Sequence, residues 1–140
     1  MSKYNLKTKK EKHARYRDFI RAELVDDLYD KIFQKVIAEK RYRDPYYSAK
    51  KLAIDLSTNT RYISAVISLR FDQNYTGLVN EYRIKDALYF LRNRRYKEFT
   101  MEEIGLMVGF STRQAFYISF YRKVGCSPLA YRKDHLPEDQ

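Results

Sequence analysis

No tryptophan occurs in the 140 residues, and there are only one cysteine, two histidines, three prolines and four glycines. Each scarcity removes a class of protein. A single cysteine, Cys126, rules out an internal disulfide and fits a reducing compartment. With no histidine near it in sequence, it reads as a structural thiol. His13 stands in a basic leader and His135 near the tail, so neither joins a plausible catalytic or metal cluster, and neither metal nor cofactor is expected. There is no Gly-rich phosphate loop. The adjacent carboxylates Glu102 and Glu103 fit a helix start better than acid–base work. An enzyme is therefore not expected. No apolar run approaches the roughly 18 residues of a membrane span, and no apolar signal core follows the basic start. The scarcity of proline and glycine favours a mostly helical chain.

What is present can fill a core: 44% of residues are hydrophobic and 16% aromatic, with 14 tyrosines whose hydroxyls need partners. The formal charge is +10. Residues 1–21 hold eight Lys/Arg against two Asp/Glu, whereas residues 22–140 hold 20 against 16. Most of the excess thus lies in the first segment, which reads as a phosphate-tracking arm or a solvated tail. Basicity alone suits nucleic acid, an anionic membrane or an acidic partner equally.

Periodicity organises the rest. Leu24, Leu28, Ile32 and Val36 recur at steps of four and predict a helix from about Ala22 to Lys40. Asp44-Pro45 turns the chain, and Ser48 can cap a helix from Ala49 to Leu56. Ser57-Thr58-Asn59 is the turn before a second helix ending near Leu69, with Ile63, Val66 and Ile67 as its buried face. A long helix is expected over 76–94. Thr100 with Glu103 forms a capping box for a helix to Val108. Gly109 supplies the turn, Ser111 is the expected cap of the next helix, and Gln114 falls at the Glu/Gln place of a second capping box. Phe116 and Phe120 form that helix's buried face, Gly125 ends it, and Pro128 opens a short last helix. A short helix, a tight turn and a second helix with polar outward positions is the layout of a helix-turn-helix DNA reader, and it occurs twice.

These residues resemble the DNA-binding domain of the AraC/XylS family of bacterial transcription regulators. The second unit carries the likeness best, through Ile104, Gly105, Val108-Gly109-Phe110-Ser111, Phe116, Phe120, Gly125, Ser127-Pro128 and Tyr131-Arg132. The first carries it through Leu52-Ala53, Tyr62-Ile63-Ser64, Tyr82-Arg83-Ile84 and Ala87. The resemblance covers roughly residues 45–134. It implies an all-α fold of about seven helices: two helix-turn-helix lobes (49–70 and 101–123) joined by the linker helix 76–94, within a domain over 22–140 that follows the basic extension 1–21. Each lobe would present one helix to one of two successive major grooves, roughly 34 Å apart. Three positions depart from the family pattern: Asp72 where glycine is usual, Ile118 where many members are basic, and Ala65 where the residue is often polar or basic.

The expected base-reading residues are Arg61, Ser64 and Ala65 on the first reading helix and Arg113, Gln114, Tyr117 and Ile118 on the second. Arginine suits guanine, glutamine adenine, and Ala65 or Ile118 a thymine methyl. Gln114 could instead serve its own cap. Expected phosphate contacts are Lys50, Asn59, Thr60, Arg70, Thr112 and Arg122, at helix starts and flanking bases. Arg83 reads either as a linker cation or as one half of an internal ion pair. The expected protein is a sequence-specific regulator without a sensor domain, cytoplasmic and nucleoid-associated. Its partners would be double-stranded DNA and RNA polymerase; a monomer is expected, with dimerisation through helix 22–40 the alternative. Ile118 and Ala65 motivate the rival, an AraC-like interaction module that modulates another regulator without reading DNA.

Overall fold

The computed structural model describes Glu11 and residues 20–137. Apart from Glu11, Ile20 and Arg21, the basic leader lies outside the described residues, as do His13 and the tail 138–140. Among the described residues the regular structure is all helical. Seven α-helices follow one another: α1 Ala22–Ile32, α2 Ala49–Asp55, α3 Thr60–Phe71, α4 Tyr75–Leu91, α5 Met101–Val108, α6 Arg113–Val124 and α7 Pro128–His135. The chain divides into two compact units. Of the described residues, one unit holds those up to Lys40 with Tyr47–Leu78, and the other holds Arg41–Tyr46 with those from Val79 onward.

In the first unit, α1 and α2 both pack on α3. The α1 stripe of Val25, Leu28 and Ile32 is buried and continues to Val36. The helix expected to run unbroken to Lys40 changes type at Phe33: Phe33–Ala38 is π-helical, and Glu39 N–H reaches the Gln34 carbonyl at 2.9 Å. A π turn inserts one residue into the helical repeat, and such bulges often sit at special positions. Lys40 then takes φ +58°, which ends the helix. Ser48 caps α2 by accepting from Lys51 N–H at 3.2 Å, and Asn59 caps α3 by accepting from Tyr62 N–H at 2.9 Å. Ser57 between them adopts φ +56°, a left-handed residue where no glycine stands. Asp72 closes α3 at φ +57°, as a short polar side chain can.

In the second unit, Ile84, Ala87, Phe90 and Leu91 of α4 join Met101, Ile104, Val108, Phe110, Phe116 and Phe120 in one core. Phe116 and Phe120 meet edge-on with centroids 5.8 Å apart, and Phe120 meets Tyr131 of α7 at the same separation. Gly105 lets α6 close in: a Cβ there would sit 2.9 Å from the Phe116 ring. The capping box forms, with Thr100 N–H donating to Glu103 and Glu103 N–H to the Thr100 hydroxyl, both at 3.0 Å. The backbone and side-chain hydrogen bonds of Thr100 hold the Glu103 carboxyl below its usual range. The linker helix stops at Leu91, short of the expected residue 94. Asn93 turns extended and its side chain accepts from Arg95 N–H at 3.0 Å, so Arg94–Tyr96 forms a separate 3-10 turn.

A polar strut ties α4 to the segment Arg41–Tyr46 of the same unit. Arg83, only 8% exposed, donates from Nε to the Tyr42 carbonyl at 2.6 Å and from Nη1 to Asn80 Oδ1 at 2.9 Å. Tyr42 Oη and Arg43 Nε both donate to Asp86 Oδ2, at 2.5 and 2.8 Å. Burial pulls the Arg43 guanidinium down, but the hydrogen bond and charge of Asp86 outweigh it and hold it above its ordinary value. Burial, then the hydrogen bond and negative charge of Asp86, push the Tyr42 phenol up to about 12. Its folded value lies above the unfolded one of about 10, so the stabilisation is full below about pH 10 and is lost as the pH approaches 12. The unfolding free energy from urea melts should therefore fall between pH 9 and 12 by about 1–2 kcal/mol more in the native chain than in Tyr42→Phe. Parallel curves for the two would refute the strut's role.

Candidate nucleic-acid interface

Each unit builds a pair of helices in which the second turns a polar arc outward. In the first, Thr60, Arg61 and Ser64 of α3 are exposed, and Lys50 is exposed in the first turn of α2. Ala65 is a correction: it is 0% exposed and belongs to the core. Because α1 and α2 both pack on α3, its buried arc is wider than the stripe of Ile63, Val66 and Ile67 alone. A thymine methyl cannot reach this position. Arg70 is exposed and already has a partner. Its guanidinium pairs with Asp26 of α1 and lies 5.5 Å from the centre of the Tyr29 ring. The pair links α1 and α3 at the surface, so a phosphate would compete with Asp26 for this guanidinium. The Asn59 side chain is committed to the cap, so what it offers a phosphate is the exposed start of α3.

In the second unit the cap of α6 is Thr112, not Ser111, and its hydroxyl accepts from Ala115 N–H at 3.1 Å. The cap shift by one residue puts Ala115 at the third helical position, so Gln114 takes no part in a capping box and its amide is exposed. Arg113 lies over the Tyr117 ring, 4.9 Å from its centre, with Nη2 donating to Tyr117 Oη at 3.3 Å. This contact of cation and ring pre-orders the guanidinium on the helix surface. Ile118 is 49% and Tyr121 61% exposed, and Arg122 is exposed beside them. Tyr121 escapes a reading of sequence spacing confined to the first turns of α6, although it lies one turn beyond Tyr117. Tyr117, Ile118, Tyr121, Arg122 and Ser127 line a shallow depression of about 470 Å³.

The other flank of α7 carries a different concavity of about 350 Å³. Leu129, Arg132, Lys133 and Leu136 line it at helical spacing, with Arg94 and Lys97 opposite. Arg132 is also anchored by donation to the Phe99 carbonyl at 2.5 Å. Among the described residues no group of three or more metal-ligating side chains comes together, and no helix is long and apolar enough to cross a membrane.

Two capped helix pairs, each with an outward polar arc on its second helix, define a helix-turn-helix DNA-binding protein. A family profile described as a helix-turn-helix domain matches residues 52–134. The chain belongs to the AraC-type helix-turn-helix family of DNA-binding transcription regulators, which are not enzymes. No curated protein matches it in sequence. Solved structures share the fold. The C-terminal domain of a two-component response regulator from Fusobacterium nucleatum is 23% identical, with TM-score 0.66, over 74% of this chain and 97% of that one. The C-terminal domain of AraT, a response regulator from Geobacillus stearothermophilus, is 22% identical at TM-score 0.67, over 83% and 88%. An AraC-type transcriptional regulator from Chromobacterium violaceum is 15% identical at TM-score 0.65, over 81% and 99%.

Proposed function

We propose that this chain is a sequence-specific bacterial transcription regulator whose α3 and α6 each enter one of two successive major grooves. The observation that supports it is the repeated construction: in both units a capped helix buries an apolar face and turns Arg61 or Arg113, with polar neighbours, outward. In this reading Arg61 and Arg113 take guanine edges and Gln114 an adenine, while Ser64, Tyr117 and Ile118 complete the base-facing set. Lys50, Thr60 and Arg122 grip phosphate, joined by the helix starts at Asn59 and Thr112. The domain runs over 22–140, the extension 1–21 tracks the backbone, and the chain acts as a monomer in the bacterial cytoplasm. The concavity beside Arg132 and Lys133 is the surface left for a protein partner such as RNA polymerase. The burial of Ala65 removes one of the two reasons for the rival interaction module, since a core alanine says nothing about base reading.

Selection of bound duplexes from a random library at physiological salt tests this reading. The expected result is a bipartite motif with half-sites about one helical turn apart. Arg61→Ala should relax one half and Arg113→Ala the other, each lowering affinity by roughly 5- to 150-fold. The affinity should also fall steeply with salt, because each neutralised phosphate releases counterions. No enriched motif, or binding indifferent to salt, would favour the interaction module.

A further inference from the structure

Beyond its polar first turn, α6 exposes large apolar side chains beside its cations. Ile118 and Tyr121 are 49% and 61% exposed, and with Tyr117 they wall a depression rimmed by Arg122 and Ser127. Exposed apolar surface gains nothing in water and becomes favourable only when covered. No carboxylate lines the depression, while Arg113 and Arg122 stand on the same helix and suit flanking phosphates. The major-groove edge of DNA displays one apolar group, the C5 methyl of thymine; cytosine shows only hydrogen there. Resting on the DNA-reading assignment of α6 above, we infer that Ile118, with Tyr117 and Tyr121, recognises a pyrimidine 5-methyl group. The same chemistry is offered by thymine and by 5-methylcytosine, so the second half-site becomes responsive to cytosine methylation. The outward arc of α3 differs: Thr60, Arg61 and Ser64 are polar and its one small apolar residue, Ala65, is buried. Methyl dependence is therefore confined to one half of the operator, and the other half is an internal control.

The test uses the full chain and the duplex obtained by selection. The α6 half-site is the one that Arg113→Ala relaxes. Each thymine of both halves is replaced in turn by deoxyuridine, which keeps the pairing and deletes only the methyl. The expected loss is about three- to fivefold per contacted methyl in the α6 half, the worth of one buried methyl-sized group, and no change in the α3 half. Ile118→Ala, at a half-exposed position that the fold tolerates, should bind the thymine and deoxyuridine duplexes alike while keeping its thermal midpoint. In a second arm the sensitive T·A pair is replaced by C·G with and without the 5-methyl; the methylated form should bind tighter by the same factor, and only when Ile118 is present. Equal affinity for thymine and deoxyuridine throughout the α6 half would overturn methyl reading while leaving DNA reading intact. A deoxyuridine effect without a 5-methylcytosine effect would overturn the methylation response and restrict the contact to thymine. If Arg113→Ala relaxes neither half, the DNA-reading assignment fails and the inference falls with it.

Discussion

Gly109→Ala should destabilise the second unit by about 3–4 kcal/mol, among the larger single-residue effects a small domain shows. Gly109 ends α5 at φ +119°, a backbone region that disfavours any Cβ. A Cβ built there would lie 2.4 Å from the Tyr42 carbonyl oxygen, 2.7 Å from Arg83 Nε and 2.9 Å from Arg43 Cα. Two of those atoms belong to the backbone and cannot swing aside. The third donates the hydrogen bond that fixes Arg83 to Tyr42. The added methyl would thus have to separate α5 from the Arg41–Arg43 turn and break the strut as well. Gly125 provides the comparison, since it caps α6 at φ +92° with nothing within 4 Å of a built Cβ. Gly125→Ala should cost only the left-handed penalty of roughly 1–2 kcal/mol. Urea unfolding followed by circular dichroism separates the two; equal losses would show that the crowding at Gly109 relaxes without cost.

Arg83→Met should cost about 2–4 kcal/mol, though the aliphatic volume is largely kept. Arg83 is 8% exposed and its guanidinium meets the Tyr42 carbonyl and Asn80, with Cζ 5.5 Å from the Phe110 ring centre. Methionine leaves a buried carbonyl without its charged donor, and a lost bond to a charged group costs more than a neutral one. Arg83→Lys should recover little, because an ammonium lacks the planar fork that serves several acceptors and a ring at once. Arg70→Met is the control. Its pair with Asp26 is on the surface, with side-chain exposures of 38% and 65%, and an exposed pair is worth about 0–1 kcal/mol. If Arg83→Met unfolds at the same urea concentration as Arg70→Met, the strut contributes no more than a surface pair.

The local grammar of this chain was legible in its residues because caps and turns act over three or four positions. Ser48 and Thr100 cap the helices anticipated for them, and Gly109, Asp72 and Gly125 take the left-handed conformation at the helix ends. The capping box was readable because Glu103 can reach only its own turn. Where two local solutions compete, the sequence is ambiguous. Ser111 and Thr112 are both good caps, and the choice of Thr112 changed the task of Gln114. Asn93 is similar: it ends α4 at Leu91 by favouring a 3-10 turn over another helical turn.

The exposed arc of the reading helices was harder to read. Ala65 looked outward from periodicity alone, since a single stripe predicts a single buried face, whereas α3 is covered by two helices. Arg70 looked available for phosphate until α1 brought Asp26 to it from 44 residues away. Tyr42, Arg43 and Asp86 show no motif at all, and their network exists only because the Arg41–Arg43 turn lies against α4.

By itself, then, the sequence determined the helices, the caps with a single good candidate, the two helix-turn-helix units and the family, because these follow from hydrogen-bond partners and apolar spacing within one or two turns. The tertiary structure decided which face of each reading helix remains exposed, which arginine is tied inward and which tyrosine is held neutral. Those properties depend on burial and on charges that meet only when distant segments pack together, and no local spacing encodes them.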